Sequence, residues 1–149
     1  MRIAHVITRM IVGGAQENTL YNCQDLIRDF DDEVLLITGP SPGREGSLLD
    51  RSDHQVPVAL APHLMRNISP WNDLRGYYEI QAILRDFRPD IVHTHSAKAG
   101  MLGRMAARSI GTPGVIHTVH GAPFHPYQSA AARRFFIACE RFAASRCDQ

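Results

Sequence analysis

Eight histidines occur in the 149 residues, and four of them fall in two runs of similar form. These are Val92-His93-Thr94-His95 and Ile116-His117-Thr118-Val119-His120-Gly121, each a β-branched stretch closing on an imidazole. In an extended chain side chains alternate between faces, so His93 shares a face with His95, whereas His117 lies opposite His120. The last residue of each run, His95 or His120, is best placed to leave a sheet and enter a crevice. Gly121 lets the chain turn sharply just after His120, which makes His120 the stronger candidate for direct chemistry. His93 and His117 are expected to be structural.

A second set of groups suits an anion. The segment Thr8-Arg9-Met10-Ile11-Val12-Gly13-Gly14 follows an apolar run and leads into Ala15-Gln16. Two glycines at a helix start let the backbone approach a phosphate, which the free N–H groups and the helix dipole favour. Arg9 and Lys98 are cations at comparable positions after strands. A dinucleotide fingerprint would need GxGxxG and an acidic residue near the end of the second strand. The adjacent glycines and the ending Leu36-Ile37-Thr38-Gly39 supply neither, so NAD is disfavoured and no cofactor is expected.

His93, His95, His120 and His125 could offer imidazoles to zinc, but no neighbouring cysteine or HExxH pattern completes a set, and no metal is expected. There is no GxSxG nucleophile motif.

The elements that must position these groups alternate regularly. Ile3–Thr8, Val34–Thr38, Val56–Leu60, Asp90–Thr94 and Val115–Val119 read as strands, the third an edge strand because it carries Pro57. Helical spacing joins Leu20, Cys23, Leu26, Ile27 and Phe30, and a short helix is predicted over Gly46–Arg51. Ser69-Pro70 opens a helix, with serine as cap and proline in the first position, that ends at Arg88-Pro89. A small-residue helix is predicted over Met101–Ile110, and an amphipathic one over Ala130–Ser145. Gly39-Pro40-Ser41-Pro42-Gly43 is a breaker cluster. This alternation predicts an α/β fold, a doubly wound parallel sheet, as one domain over residues 1–149. Ligands of such sheets bind beyond the carboxyl ends of the strands, where the strand order reverses. A further strand is expected after Gln149.

Composition narrows the function. Sixteen basic and fifteen acidic residues leave a net charge of +1, without the basic footprint of a nucleic-acid binder. Three cysteines with no CxxC spacing predict free thiols. The N-terminal apolar run is broken by His5 and Arg9, unlike a signal peptide. No stretch approaches the ~20 apolar residues of a membrane span. A cytoplasmic protein is expected, with contact at the inner face of the membrane open to the helix bearing Arg133, Arg134, Phe135, Phe136, Arg141 and Phe142. The plainer expectation is that this helix packs its phenylalanines on the sheet.

At these residues the chain resembles the N-terminal domain of the family-4 retaining glycosyltransferases, which have the GT-B fold. The matching pieces are Ile7 to Gln16, Gly43-Arg44-Glu45-Gly46-Ser47-Leu48, Arg88 to Gly100, and His117-Thr118-Val119-His120-Gly121 with Phe124. The resemblance implies a Rossmann-like lobe that holds a hydroxylated acceptor, glycan or lipid-linked, and meets a second lobe across a nucleotide-diphosphate sugar. It implies that Gly13 and Gly14 lie against the donor phosphates or the transferred sugar. His120 would contact the sugar at the reaction centre, with Arg9, His95 and Lys98 orienting donor or acceptor. Transfer in that family needs no metal. The C-terminal lobe, with its basic pair and Glu-x7-Glu motif, is not in this sequence, so the chain alone is expected to be inactive. Alternatives are a non-catalytic binding or recruiting subunit of a split enzyme, or the lobe of a sugar-nucleotide epimerase.

Overall fold

In a computed structural model the chain forms a five-stranded parallel sheet with helices on both faces. The structure describes residues 1–41, 46–51, 55–121, 124 and 127–149. Pro42 and Gly43 of the breaker cluster, Gly43-Arg44-Glu45 of the family motif, and His125 lie outside the described residues.

The elements run β1 (Arg2–Ile7), α1 (Gly14–Phe30), β2 (Glu33–Thr38), α2 (Leu48–Arg51), β3 (Val58–Leu60), α3 (Pro70–Phe87), β4 (Ile91–His95), α4 (Ala97–Ser109), β5 (Gly114–Thr118) and α5 (Ala130–Ala144). The strand order is β3-β2-β1-β4-β5, so the direction of winding reverses between β1 and β4. All four ladders are parallel, and register places His5 beside His93 and Thr94 beside His117. β3 is the edge strand that Pro57 predicts. It has only three residues, and the Pro57 carbonyl still accepts from the Leu36 amide.

The core divides by sheet face because alternate side chains point opposite ways. Ala4, Val6, Val92 and Val115 meet α3 and α4 through Ile80, Leu84, Ala99, Ala106 and Ala107. On the other face Ile7, Val34 and Leu36 meet α1 through Leu20 and Cys23. Helix α4 lies very close to the sheet. A Cβ on Gly103 would stand 2.8 Å from the Thr94 methyl, and one on Gly100 would stand 2.4 Å from the His117 ring.

Three expectations change in detail. Helix α4 starts at Ala97, ahead of Met101, because β4 passes into it through Ser96 alone. Ser69 precedes α3 without a side-chain capping bond; instead the Asp73 carboxylate accepts from the Ser69 amide at 3.1 Å. Helix α5 does not lay its phenylalanines on the sheet. It packs beside α4, with Ala143 its one buried residue among those described, while Phe135 and Phe142 are 56% and 44% exposed. The layer that α5 would occupy over the sheet is already taken by α4. Neither site glycine is in the left-handed region: Gly13 is extended at φ 173°, and the glycines in that region among the described residues are Gly46 and Gly111.

All three cysteines are free. Beyond α5, the Asp148 amide donates to the Val115 carbonyl and the His117 amide donates to the Gln149 carbonyl, along the outer edge of β5. Among the described residues no helix is long and apolar enough to cross a membrane.

Candidate functional site

The carboxyl ends of β1, β4 and β5 converge where the winding reverses, and two cavities open there. A cleft of about 480 Å³ is walled by Thr8 and Arg9 after β1, Gln16 of α1, Asp73 of α3, Ser96, Lys98 and Met101 around α4, and Phe135, Phe136 and Glu140 of α5. Its volume is that of an ordinary small-molecule site. A smaller pocket of about 80 Å³ adjoins it, sharing Ser96, Ala97 and Glu140, and is lined also by His117, Val119, His120, Gly121 and Phe124.

Three imidazoles connect the sheet interior to this rim. His5, in the middle of β1, places Nδ1 3.0 Å from Nε2 of His95 at the end of β4. His95 places its own Nδ1 3.0 Å from Nε2 of His120, two residues past β5. His5 and His95 have no exposed surface, whereas His120 is exposed. Burial, joined by repulsion from His93, lowers His5 to about 3 and His95 to about 2; burial also lowers His93, to about 4, and His120. All are therefore neutral imidazoles near neutral pH.

His93 turns aside, with Nε2 2.8 Å from the Thr118 hydroxyl. His117 lies on the opposite face, with Nδ1 3.0 Å from the Thr94 hydroxyl, as a strand-register residue would. Ligand atoms of His5, His93 and His95 all lie within 4.8 Å of one another, a different set from the one the spacing suggested for a metal. The His5 and His95 nitrogens that face each other are already joined by a hydrogen bond.

The β4–α4 turn is held under strain. Ser96 has φ 62° and ψ 158°, a region that costs a non-glycine residue ~1–3 kcal/mol. Its hydroxyl is 2.8 Å from that of Thr8, and the Ala99 amide donates to the same Thr8 oxygen at 3.2 Å. Thr8 thus ties the end of β1 to the first turn of α4 across the point of reversal.

The cleft's carboxylates are occupied. Asp73 pairs with Lys98 at 2.5 Å, and Lys98 also donates to the Asn67 carbonyl. Glu140 pairs at 2.7 Å with Arg104, whose side chain is 2% exposed and also donates to the Gly100 carbonyl. What these walls offer a ligand is therefore hydrogen bonding to hydroxyl and anionic oxygens, rather than a free carboxylate pair for acid–base work.

The expected site residues separate accordingly. His120 lines the small pocket, and Arg9 and Lys98 line the cleft, Lys98 already ion-paired. His95 reaches open space only through His120. Gly13 and Gly14 are not among the residues lining either cavity; Gln16, one turn on, is. A Cβ on Gly14 would meet nothing within 4 Å, so its backbone is open to approach. The sequence reading missed His5, Thr8, Ser96 and Glu140. A polar residue in the middle of β1's apolar run was the available signal for His5.

A doubly wound α/β fold with its cleft at the point of reversal defines a class that binds nucleotides, sugars and many other ligands. Sequence comparison narrows it. Residues 13–149 match the family described as glycosyl transferase 4-like domain, and the chain belongs to that family. It is 36% identical over 144 residues to the UDP-Gal:alpha-D-GlcNAc-diphosphoundecaprenol alpha-1,3-galactosyltransferase of Escherichia coli, covering 97% of this chain. The chain spans only 36% of that relative's length. Among solved structures it is similar to MurG of Acinetobacter baumannii, with TM-score 0.62 and 15% identity over 89% of this chain and 38% of that one. The UDP-GlcNAc 2-epimerase of Neisseria meningitidis, bound to UDP-GlcNAc, gives TM-score 0.61 and 16% identity over 93% of this chain and 38% of that one. At such identities the structural likeness speaks for the fold alone.

Proposed function

We propose that this chain is the acceptor-side lobe of a glycosyltransferase that moves a sugar, with retention, from a nucleotide-diphosphate donor to a lipid-linked or other hydroxylated acceptor. Family membership and the 36% identical galactosyltransferase, named for UDP-Gal and a diphosphoundecaprenol-linked sugar, support transfer over epimerisation. The observation that carries the reading is the joined pair of cavities, with His120 in the smaller and Arg9, Gln16 and the start of α4 around the larger. His120 would hydrogen-bond the sugar near its anomeric centre, and the open backbone at Gly13 and Gly14 would approach the leaving diphosphate. Arg9 and Lys98 would orient donor or acceptor, Lys98 only by exchanging Asp73 for the ligand.

A second, nucleotide-gripping lobe completes the site, in the same polypeptide or a partner chain. Without it the chain should bind donor weakly and transfer nothing, because a diphosphate leaving group needs an enclosed cleft. The enzyme would work in the cytoplasm at the inner face of the membrane, where a lipid-linked acceptor is reached; the exposed Phe135 and Phe142, beside Arg134 and Arg141, are compatible with that.

A radiolabelled transfer assay tests the reading, using protein that joins this lobe to its nucleotide-binding partner, a panel of UDP-sugars and a polyprenyl-diphosphate-linked sugar. Label in the lipid fraction is expected, and His120→Ala should lower turnover ~10²–10³-fold with little change in donor binding. Conversion of the UDP-sugar with no lipid labelled would replace transfer by epimerisation.

A further inference from the structure

The three-imidazole chain carries directional information that its separate residues do not. A neutral imidazole has one N–H donor and one acceptor nitrogen, so two contacts in series force the tautomers to agree. Either every proton sits on Nδ1 and each ring donates outward, from His5 to His95 to His120, or every proton sits on Nε2 and each donates inward. The inner end decides between them. His5 Nε2 is buried and has no hydrogen-bond partner among the described residues. With the protons on Nε2, that atom would be a buried N–H without an acceptor, which folded proteins rarely tolerate. With the protons on Nδ1, it is only an unmet buried lone pair.

We propose that His5 and His95 are positioning residues that lock His120 as its Nδ1–H tautomer, so that it meets a ligand as a hydrogen-bond donor and not as a base. The outer nitrogen already holds its proton, and the inner one faces the His95 N–H. Among the described residues no carboxylate hydrogen-bonds the inner end of this series to stabilise an imidazolium, which sets it apart from a His–acid arrangement. A fixed donor suits an oxygen that is electron-rich in ground and transition states: a sugar hydroxyl or a phosphoryl oxygen. This functional meaning rests on the sugar-transfer reading above. The tautomer itself is measured without any sugar, so the two can fail separately.

The test is long-range proton–nitrogen-15 NMR of the histidine-labelled chain at about pH 7.5, where the rings are neutral. Substitution of His120 by Gln assigns its signals. The expected spectrum shows protonated Nδ1 and bare Nε2 for His5, His95 and His120 together. His95→Asn keeps an N–H in place of the His95 Nδ1–H, and should leave His120 unchanged. His95→Leu removes it and should release His120 to the Nε2–H form that free imidazole prefers. In the two-lobed enzyme His95→Leu should lower kcat about tenfold with donor KM unchanged, the worth of one good hydrogen bond, and His95→Asn should recover most of it. An Nε2–H tautomer for His120 in the unsubstituted chain overturns the proposal, as does a His95→Leu spectrum in which His120 keeps Nδ1–H. If His95→Leu does not fold, the unsubstituted and His95→Asn spectra decide.

Discussion

The β1–α1 and β4–α4 turns stand side by side at the same sheet edge, yet hold their shapes in opposite ways. The first passes through Gly13 in a relaxed extended conformation, with no side-chain cap and open space over Gly14. The second passes through Ser96 at φ 62°, where glycine would be at ease and serine is not, and is tied to β1 through Thr8. Beneath it lie the buried histidines, and beside it the Arg104–Glu140 pair joins α4 to α5. One half of the rim is accessible backbone; the other is strained and hydrogen-bonded. Strain of that kind persists only where the surroundings over-determine it, and it gathers at functional sites.

Acid should break this contrast most severely, by charging the histidines buried beneath the β4–α4 turn. The folded-state values of His5 and His95, about 3 and about 2, lie below the ordinary 6.5. Above about pH 6.5 both states are neutral and the stability is complete. As pH falls below that, the unfolded chain takes up protons that the fold refuses. Stability is then lost by up to ~1.4 kcal/mol per pH unit for each of the two rings, down toward the folded-state values. Urea unfolding midpoints from about pH 7.5 to 4.5 measure this; a flat profile would mean that the rings are not buried neutral.

Next in size is Glu140→Ala, which leaves the Arg104 guanidinium buried without its carboxylate. The expected loss is ~2–3 kcal/mol, less than the ~3–5 for a fully buried pair because Glu140 is 25% exposed. Thermal unfolding should record it, and Arg104→Met combined with Glu140→Ala should recover part. Failure of the double variant to recover any stability would assign the loss to packing instead.

Thr8→Val sharpens the comparison directly. It removes the oxygen shared by Ser96 and the Ala99 amide, and should cost ~1–2 kcal/mol. A loss near zero would show that the β4–α4 turn keeps its strained shape without β1.

The smallest effect on stability belongs to the relaxed turn. Gly14→Ala should change stability by less than ~0.5 kcal/mol, and Gly13→Ala by little more, since its new Cβ meets only the flexible end of Gln16. If the open backbone receives a diphosphate, Gly13→Val and Gly14→Val should nonetheless reduce donor use while the circular dichroism spectrum is kept. Full activity in both would remove the turn from the site.

The alternation of strands and helices was legible in the sequence because each depends on short-range periodicity. Strand limits differ from expectation by a residue or so at most ends, and β3 fell at the edge as Pro57 required. Placing His120 beyond β5 also followed from the sequence, since an apolar run closed by glycine marks where a chain leaves a sheet. What α5 touches could not be read, because its phenylalanines fit equally a sheet, a cleft wall or solvent. Nor could the strain at Ser96, whose residue type gives no warning of a positive φ.

The sequence by itself determined that two histidines would end neighbouring strands and that a glycine turn would open near them. Only the tertiary structure decided that His5, ninety positions from His95, would join the series. That pairing depends on the register of β1 against β4, which sets His5 beside His93, and no local pattern encodes which side chains two such neighbouring strands bring together. Burial then makes the link matter: in water each ring would choose its own tautomer, while in the sheet interior an unmet N–H is costly enough to align all three.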